Sequence, residues 1–122
     1  METFQNTQPI YLQIIDLMKR QIATSVLSPG QHLDTVRDLA MKYQVNPNTV
    51  QRALSELERD GLVHSDRTIG RYVTDDTSAI EKLHQDLFDE ATSAYIDAVK
   101  ALHMTSETVI TAVKDRLKGE NS

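Results

Sequence analysis

The chain has no cysteine and no tryptophan, and among its 122 residues there are only two phenylalanines, four tyrosines, four glycines and three prolines. Without cysteine, neither a disulfide framework nor a thiolate zinc site is available. So few aromatics point to a small core of aliphatic side chains contributed by several helices. Four scattered glycines do not form the loop that cradles a nucleotide phosphate, and neither a G-x-S-x-G elbow nor a Cys/His pair is present, so an enzyme is not expected. No apolar run approaches the roughly 18–20 residues that span a bilayer. Residues 1–9 are polar and carry no basic segment followed by an apolar one, so no signal peptide is expected and the chain is assigned to the cytoplasm. His32, His64, His84 and His103 are too widely spaced for a local ligand motif; no metal and no cofactor are expected.

What is present looks globular: 39% hydrophobic and 25% charged residues. The net charge of −5 argues at first against a nucleic-acid partner. Its distribution changes that reading. Residues 1–75 carry 8 Lys/Arg against 9 Asp/Glu, whereas residues 76–122 carry 5 against 9. The acid lies mainly in the C-terminal part, and a DNA-binding face remains open to the first part if its arginines share one surface.

Periodicity divides the chain. Tyr11, Ile15, Met18 and Ile22 recur at helical spacing and predict a first helix over about residues 9–25, with Pro9 in its first turn. Ser28-Pro29-Gly30 reads as a turn. Thr35 caps a short second helix that ends near Tyr43, with Asp38 in the capping-box position. The third helix, residues 47–60, has the clearest signals. Asn46 is a good cap, Pro47 suits the first position, Val45 and Val50 can staple the start, and Gly61 suits the left-handed position after the end. Then the period changes. Residues 62–65 and 71–74 read as strands of a β-hairpin around a turn at 66–70. A long helix follows to about Leu102, with an apolar stripe of Ile80, Leu83, Leu87, Ala91, Ala94, Ala98 and Ala101. A last helix opens at Thr105, and the tail from Gly119 is expected to fray.

The expected fold is therefore mainly α with a small β-hairpin: an N-terminal winged helix-turn-helix over residues 1–75 and a two-helix segment over residues 76–122. In a helix-turn-helix the second helix of the pair enters the major groove, led by its N-terminal residues. Stepping the third helix at about 100° per residue places Val50, Ala53, Leu54 and Leu57 on one face. Asn48, Arg52, Ser55 and Arg59 then lie opposite, with Gln51 at the flank. Amides can read adenine, and arginine can read guanine or bind phosphate. Asn46 and Thr49 sit in the first turn, where backbone N–H groups favour phosphate. Arg37 begins the second helix, and Arg67 and Arg71 bracket the hairpin turn.

In order along the chain, Ile10-Tyr11-Leu12-Gln13-Ile14, Leu27-Ser28-Pro29-Gly30-Gln31-His32-Leu33 and Thr35-Val36-Arg37-Asp38-Leu39-Ala40 resemble the GntR family of bacterial regulators. Val45-Asn46-Pro47-Asn48-Thr49-Val50-Gln51-Arg52-Ala53-Leu54, followed by Leu57-Glu58 and Asp60-Gly61-Leu62, is similar to its YtrA subfamily. The resemblance covers about residues 9–74. It implies a sequence-specific transcription regulator, a repressor of its own operon, commonly one encoding an ABC transporter. It implies DNA contacts from Thr35, Arg37, the segment Asn46 to Arg52 (Asn46, Asn48, Thr49, Gln51, Arg52) and the wing (Arg67, Thr68, Gly70, Arg71). Two departures stand out. Asp34-Thr35 replaces the family's usual Pro-Ser, and Thr68 replaces the first of two wing glycines.

The C-terminal stripe exposes more apolar surface than two helices can bury on each other. Leu83, Leu87, Ala91, Tyr95 and Ile110 are expected at a homodimer interface, which the resemblance also implies. A dimer would set two recognition helices on the half-sites of a pseudo-palindromic operator. Two other readings stay open on sequence alone: a winged helix used for protein–protein assembly, favoured by the acidic total charge, and a regulator gated by a small-molecule effector, of unknown identity, between the C-terminal helices.

Overall fold

The N-terminal helix α1 (Ile10–Ala23) opens directly after Pro9, whose carbonyl accepts from the Leu12 and Gln13 amides. Pro9 thus stands one place earlier than expected, as the cap residue itself. This computed structural model describes Phe4 and residues 7–121. The remaining elements are α2 (Val36–Tyr43), α3 (Pro47–Arg59), β1 (Val63–Asp66), β2 (Gly70–Val73), α4 (Thr77–Ala101) and α5 (Ser106–Asn121). The tail does not fray at Gly119, because α5 runs through it; Ser122 lies outside the described residues. No helix among the described residues is long and apolar enough to cross a membrane.

Helix boundaries follow local chemistry. Thr35 Oγ1 accepts from the Asp38 amide at 3.1 Å and starts α2. Asn46 Oδ1 accepts from the Asn48 amide at 2.8 Å and starts α3, with Pro47 at the first helical position. At the far end of α3, the Gly61 amide donates to Glu58 O and the Leu62 amide to Leu57 O, each at 3.0 Å. That paired closure needs a left-handed residue, and Gly61 has φ +75°. The same closure ends α2, where Val45 donates to Ala40 O, but here the left-handed residue is Gln44 at φ +56°. Asp76 Oδ1 accepts from the Ser78 and Ala79 amides and starts α4.

Two compact units result, one reaching Asp86 and the other starting at Leu87. In the first, Ile14, Met18 and Ile22 of α1, Leu39, Ala40 and Tyr43 of α2, and Val50, Ala53, Leu54 and Leu57 of α3 are buried together with Leu62, Val63 and Val73. Each buried aliphatic side chain contributes about 1.5–3 kcal/mol by leaving water. Four of them on α3 fix its rotation, and hence which face looks outward. The hairpin is antiparallel, pairing Val63 with Val73 and Asp66 with Gly70. The chain between α1 and α2 adds a third edge: the Val73 amide donates to Gln31 O at 2.8 Å and the Leu33 amide to Arg71 O at 2.9 Å.

Leu83, expected at a dimer interface, is 8% exposed in the single chain. It belongs to the first unit, where it lines a cleft with Lys19, Leu62 and Ala79. Its apolar surface is thus already covered by its own chain. In the second unit the picture differs. Leu87 is half-buried, Ala91 is exposed, and Phe88, Tyr95, Leu102, Met104, Ile110, Val113 and Leu117 are exposed large hydrophobics.

Candidate nucleic-acid interface

α3 presents one polar face. Asn48, Gln51 and Arg52 are exposed, as is the cap Asn46, while Thr49 is half-buried. Gln51 Nε2 lies 3.3 Å from Ser55 Oγ, one turn further on. Arg52 does not point away from the protein unaccompanied: its guanidinium carbon sits 3.8 Å from the centre of the Tyr11 ring on α1. Thr35 and Arg37, at the start of α2, are exposed too.

The wing tip is built by one carboxylate. Asp66 Oδ1 accepts from the Thr68 amide at 2.8 Å, from Thr68 Oγ1 at 2.6 Å and from the Ile69 amide at 3.3 Å. These bonds hold the Asp66 carboxyl below its ordinary value, the Thr68 hydroxyl first among them. Thr68 thus takes its place by donating to Asp66, and only Gly70, at φ +83°, supplies a left-handed backbone. Arg67, Thr68 and Gly70 are exposed.

Arg71 is placed differently from the other arginines of the expected site. Its Nε donates to Glu58 Oε1 at 2.6 Å and its side chain is 23% exposed. Ser65 Oγ donates to the same oxygen, also at 2.6 Å. These two hydrogen bonds, the Ser65 one first, lower the Glu58 carboxyl from its ordinary value. Arg71 therefore ties the wing to the last turn of α3.

The partnering of cations separates the first unit's surface into two classes. Lys19 pairs with Asp60, Arg20 with Asp16, Arg59 with Glu56 and Arg71 with Glu58. Among the described residues, Arg37, Lys42, Arg52 and Arg67 have no carboxylate partner within ion-pair distance. Lys42 lies over the Tyr43 ring. Three of these four arginines and lysines stand on the start of α2, the outward face of α3 and the wing.

Sequence reasoning missed Tyr11, Glu58 and Asp66. Tyr11 stood in the apolar stripe of the first helix, with nothing to mark its face as a platform for Arg52. Glu58 sits seven residues before Ser65 and thirteen before Arg71, beyond any local pattern. Asp66 carried a local signal: an Asp two residues before a Thr in a hairpin turn readily forms an Asx turn.

Helix, helix, tight turn, helix and a two-stranded hairpin, with a polar third helix facing outward, make a winged helix-turn-helix, the architecture of DNA-binding regulators. The family described as "Bacterial regulatory proteins, gntR family" matches residues 10–73. The chain belongs to the GntR family, whose members are transcription regulators rather than enzymes. It is 34% identical to the uncharacterized HTH-type transcriptional regulator YhcF of Bacillus subtilis, over 95% of this chain and 96% of that one. It is 35% identical to the HTH-type transcriptional repressor YtrA of the same organism, over 77% of this chain and 74% of YtrA. Among solved structures, a GntR family transcriptional regulator from Listeria monocytogenes superposes with a TM-score of 0.87 at 37% identity, covering 92% of this chain and 98% of that one. The DNA-binding domain of AraR in complex with operator ORX1 matches with a TM-score of 0.55 at 25% identity, over 59% of this chain and 93% of that one.

Proposed function

We propose that this GntR-family regulator is a cytoplasmic, homodimeric repressor that reads a pseudo-palindromic operator, with residues 1–75 binding DNA and residues 76–122 holding the dimer. α3 lies in the major groove. Asn48, Gln51 and Arg52 face base edges, Asn46 and Thr49 face phosphate, Thr35 and Arg37 grip the backbone, and Arg67, Thr68 and Gly70 approach it from the wing. Arg71 contributes by fixing the wing. The observation that carries this reading is the division of the cations. Half of those up to residue 75 are neutralised by carboxylates, while Arg37, Arg52 and Arg67 keep their charge on three elements of one motif. A chain of net charge −5 binds a polyanion only where positive charge is left uncompensated.

The dimer reading is supported by the exposed apolar side chains of the second unit, Tyr95 and Ile110 among them, with Leu87 and Ala91 alongside. One recognition helix alone buries too little surface for tight specific binding. A repressor acting on its own operon, one for a transporter, fits the family resemblance.

The test is fluorescence anisotropy of the purified chain on duplex DNA from upstream of its own gene, beside a scrambled duplex, across a salt series. Tight, salt-dependent binding that prefers the native duplex supports the reading, and footprint spacing then reports the dimer. No binding to either duplex at low salt overturns it and returns the protein-assembly alternative.

A further inference from the structure

We propose that Tyr11 is a positioning residue for DNA recognition: its ring holds the Arg52 guanidinium flat, so that the N–H edge of that group is aimed before DNA arrives. The proposal rests on the reading that α3 occupies the major groove. It assigns a role to a residue of α1, outside the helix-turn-helix itself.

The distance is that of a stack. A guanidinium carbon 3.8 Å from a ring centre is at van der Waals distance over the face, well inside the roughly 6 Å within which the ring quadrupole attracts a cation. Arg52 remains exposed, and among the described residues it has no carboxylate partner. The platform is fixed. Tyr11 is half-buried and lies three and seven residues before Ile14 and Met18, which are 0% and 1% exposed in the core. It therefore shares the face of α1 that packs under α3.

Stacking uses the flat face of a guanidinium and leaves its five in-plane N–H donors untouched. Guanine is read by two of those donors together, on its O6 and N7. The two uses are compatible, and the first prepares the second. A free arginine must be ordered when it binds, whereas a stacked one has surrendered most of that freedom already. A fixed plane also has a direction, which serves a base edge and brings little advantage at a phosphate that can be approached from many angles. Losing the ring should therefore weaken specific binding more than non-specific binding.

The experiment uses the full chain. Duplexes are first selected from a library with a randomised core by the unaltered protein. Affinities for the selected duplex and a scrambled one are then measured for Tyr11→Leu, Tyr11→Phe, Arg52→Ala, Arg52→Lys and the Tyr11→Leu/Arg52→Ala pair, with thermal midpoints alongside. Tyr11→Leu is expected to weaken the selected duplex about 2- to 10-fold and the scrambled one little, Tyr11→Phe to bind as the unaltered chain does, and Tyr11→Leu to add nothing once Arg52 is alanine. Arg52→Lys keeps the charge and loses the planar fork, so it should lose selectivity while keeping its salt dependence, a readout independent of whether the Tyr11 variant folds. Equal weakening by Tyr11→Leu with and without Arg52, equal weakening on both duplexes, or undiminished selectivity in Arg52→Lys would overturn the proposal. If the unaltered chain selects no sequence, the groove reading fails first and the proposal falls with it.

Discussion

Arg71 Nε and Glu58 Oε1 are 2.6 Å apart, and the bond joins the second wing strand to the last turn of the recognition helix. Ser65, the register partner of Arg71 on β1, reaches the same oxygen. Three elements thus meet on one carboxylate at the flank of α3. On Tyr11, by contrast, α1 meets Arg52 of the same helix.

The Glu58 contact makes stability depend on pH in a stated direction. Hydrogen bonds to its charged form lower the Glu58 carboxyl from its ordinary 4.5. A depressed carboxylate stabilises the fold fully above the unfolded value, and that contribution is lost as the pH falls through the folded one. Glu58→Gln is expected to cost about 1 kcal/mol at pH 7, discounted for a pair that water partly reaches. The difference from the unaltered chain should hold steady down to about pH 5 and shrink at lower pH. Urea unfolding of both chains across that range checks it; a gap that ignores pH would remove the ion-pair account.

The arginines should sort by their partners when DNA binding is measured against salt. Arg37→Ala and Arg67→Ala are each expected to lower the salt slope by about one and to weaken all duplexes alike. Arg71→Ala should leave the slope nearly unchanged and lower the thermal midpoint instead. A full unit of slope lost with Arg71 would show that it binds phosphate directly.

Gln44 closes α2 in a left-handed conformation that costs an L-residue roughly 1–2 kcal/mol. Glycine relieves this, at an expense of about 0.4–1 kcal/mol from the freer unfolded chain. Gln44→Gly is therefore expected to raise the unfolding free energy by about 0.5–1 kcal/mol, read by chemical denaturation. A loss of stability would mean that the Gln44 side chain contributes more than its backbone costs.

The residues Leu83 and Ile110 should behave oppositely. If the proposed dimer uses the exposed apolar surface of the second unit, Ile110→Glu is expected to yield a species with the mass of one chain in sedimentation equilibrium, at concentrations where the unaltered chain sediments with the mass of two. Leu83→Ala should keep the dimer and destabilise the first unit by about 2–5 kcal/mol. Dimers that survive Ile110→Glu would move the interface elsewhere.

The helix-turn-helix was legible because its determinants are local. Asn46, Pro47 and Gly61 each act within a few residues of themselves, and the placement of α3 follows from caps and a single apolar stripe. Thr35 belongs with them. The wing was legible as a hairpin, but its anchoring was not, since Glu58 meets Ser65 and Arg71 only after the chain has turned back. Tyr11 reads as one more apolar position, because periodicity reports which face a residue shares and not what lies across from it. The burial of Leu83 within the first unit is hidden from the sequence for a related reason. One continuous stripe along α4 gives no sign of where its packing partners change.

Hydrogen bonds between peptide groups hold the link between α1 and α2 to the wing strand, Val73 donating to Gln31 and receiving from Gly30, and Leu33 donating to Arg71. Main-chain bonds are indifferent to the side chains that ride on them. The spacing between the wing strand and the first turn of α2 is consequently set by the backbone, and a change of side chain at Gln31 or Leu33 leaves these bonds in place. Thr35, whose hydroxyl starts α2, follows two residues after the last of these bonds, so the opening turn of that helix is moored to the wing strand by main chain rather than by side chain.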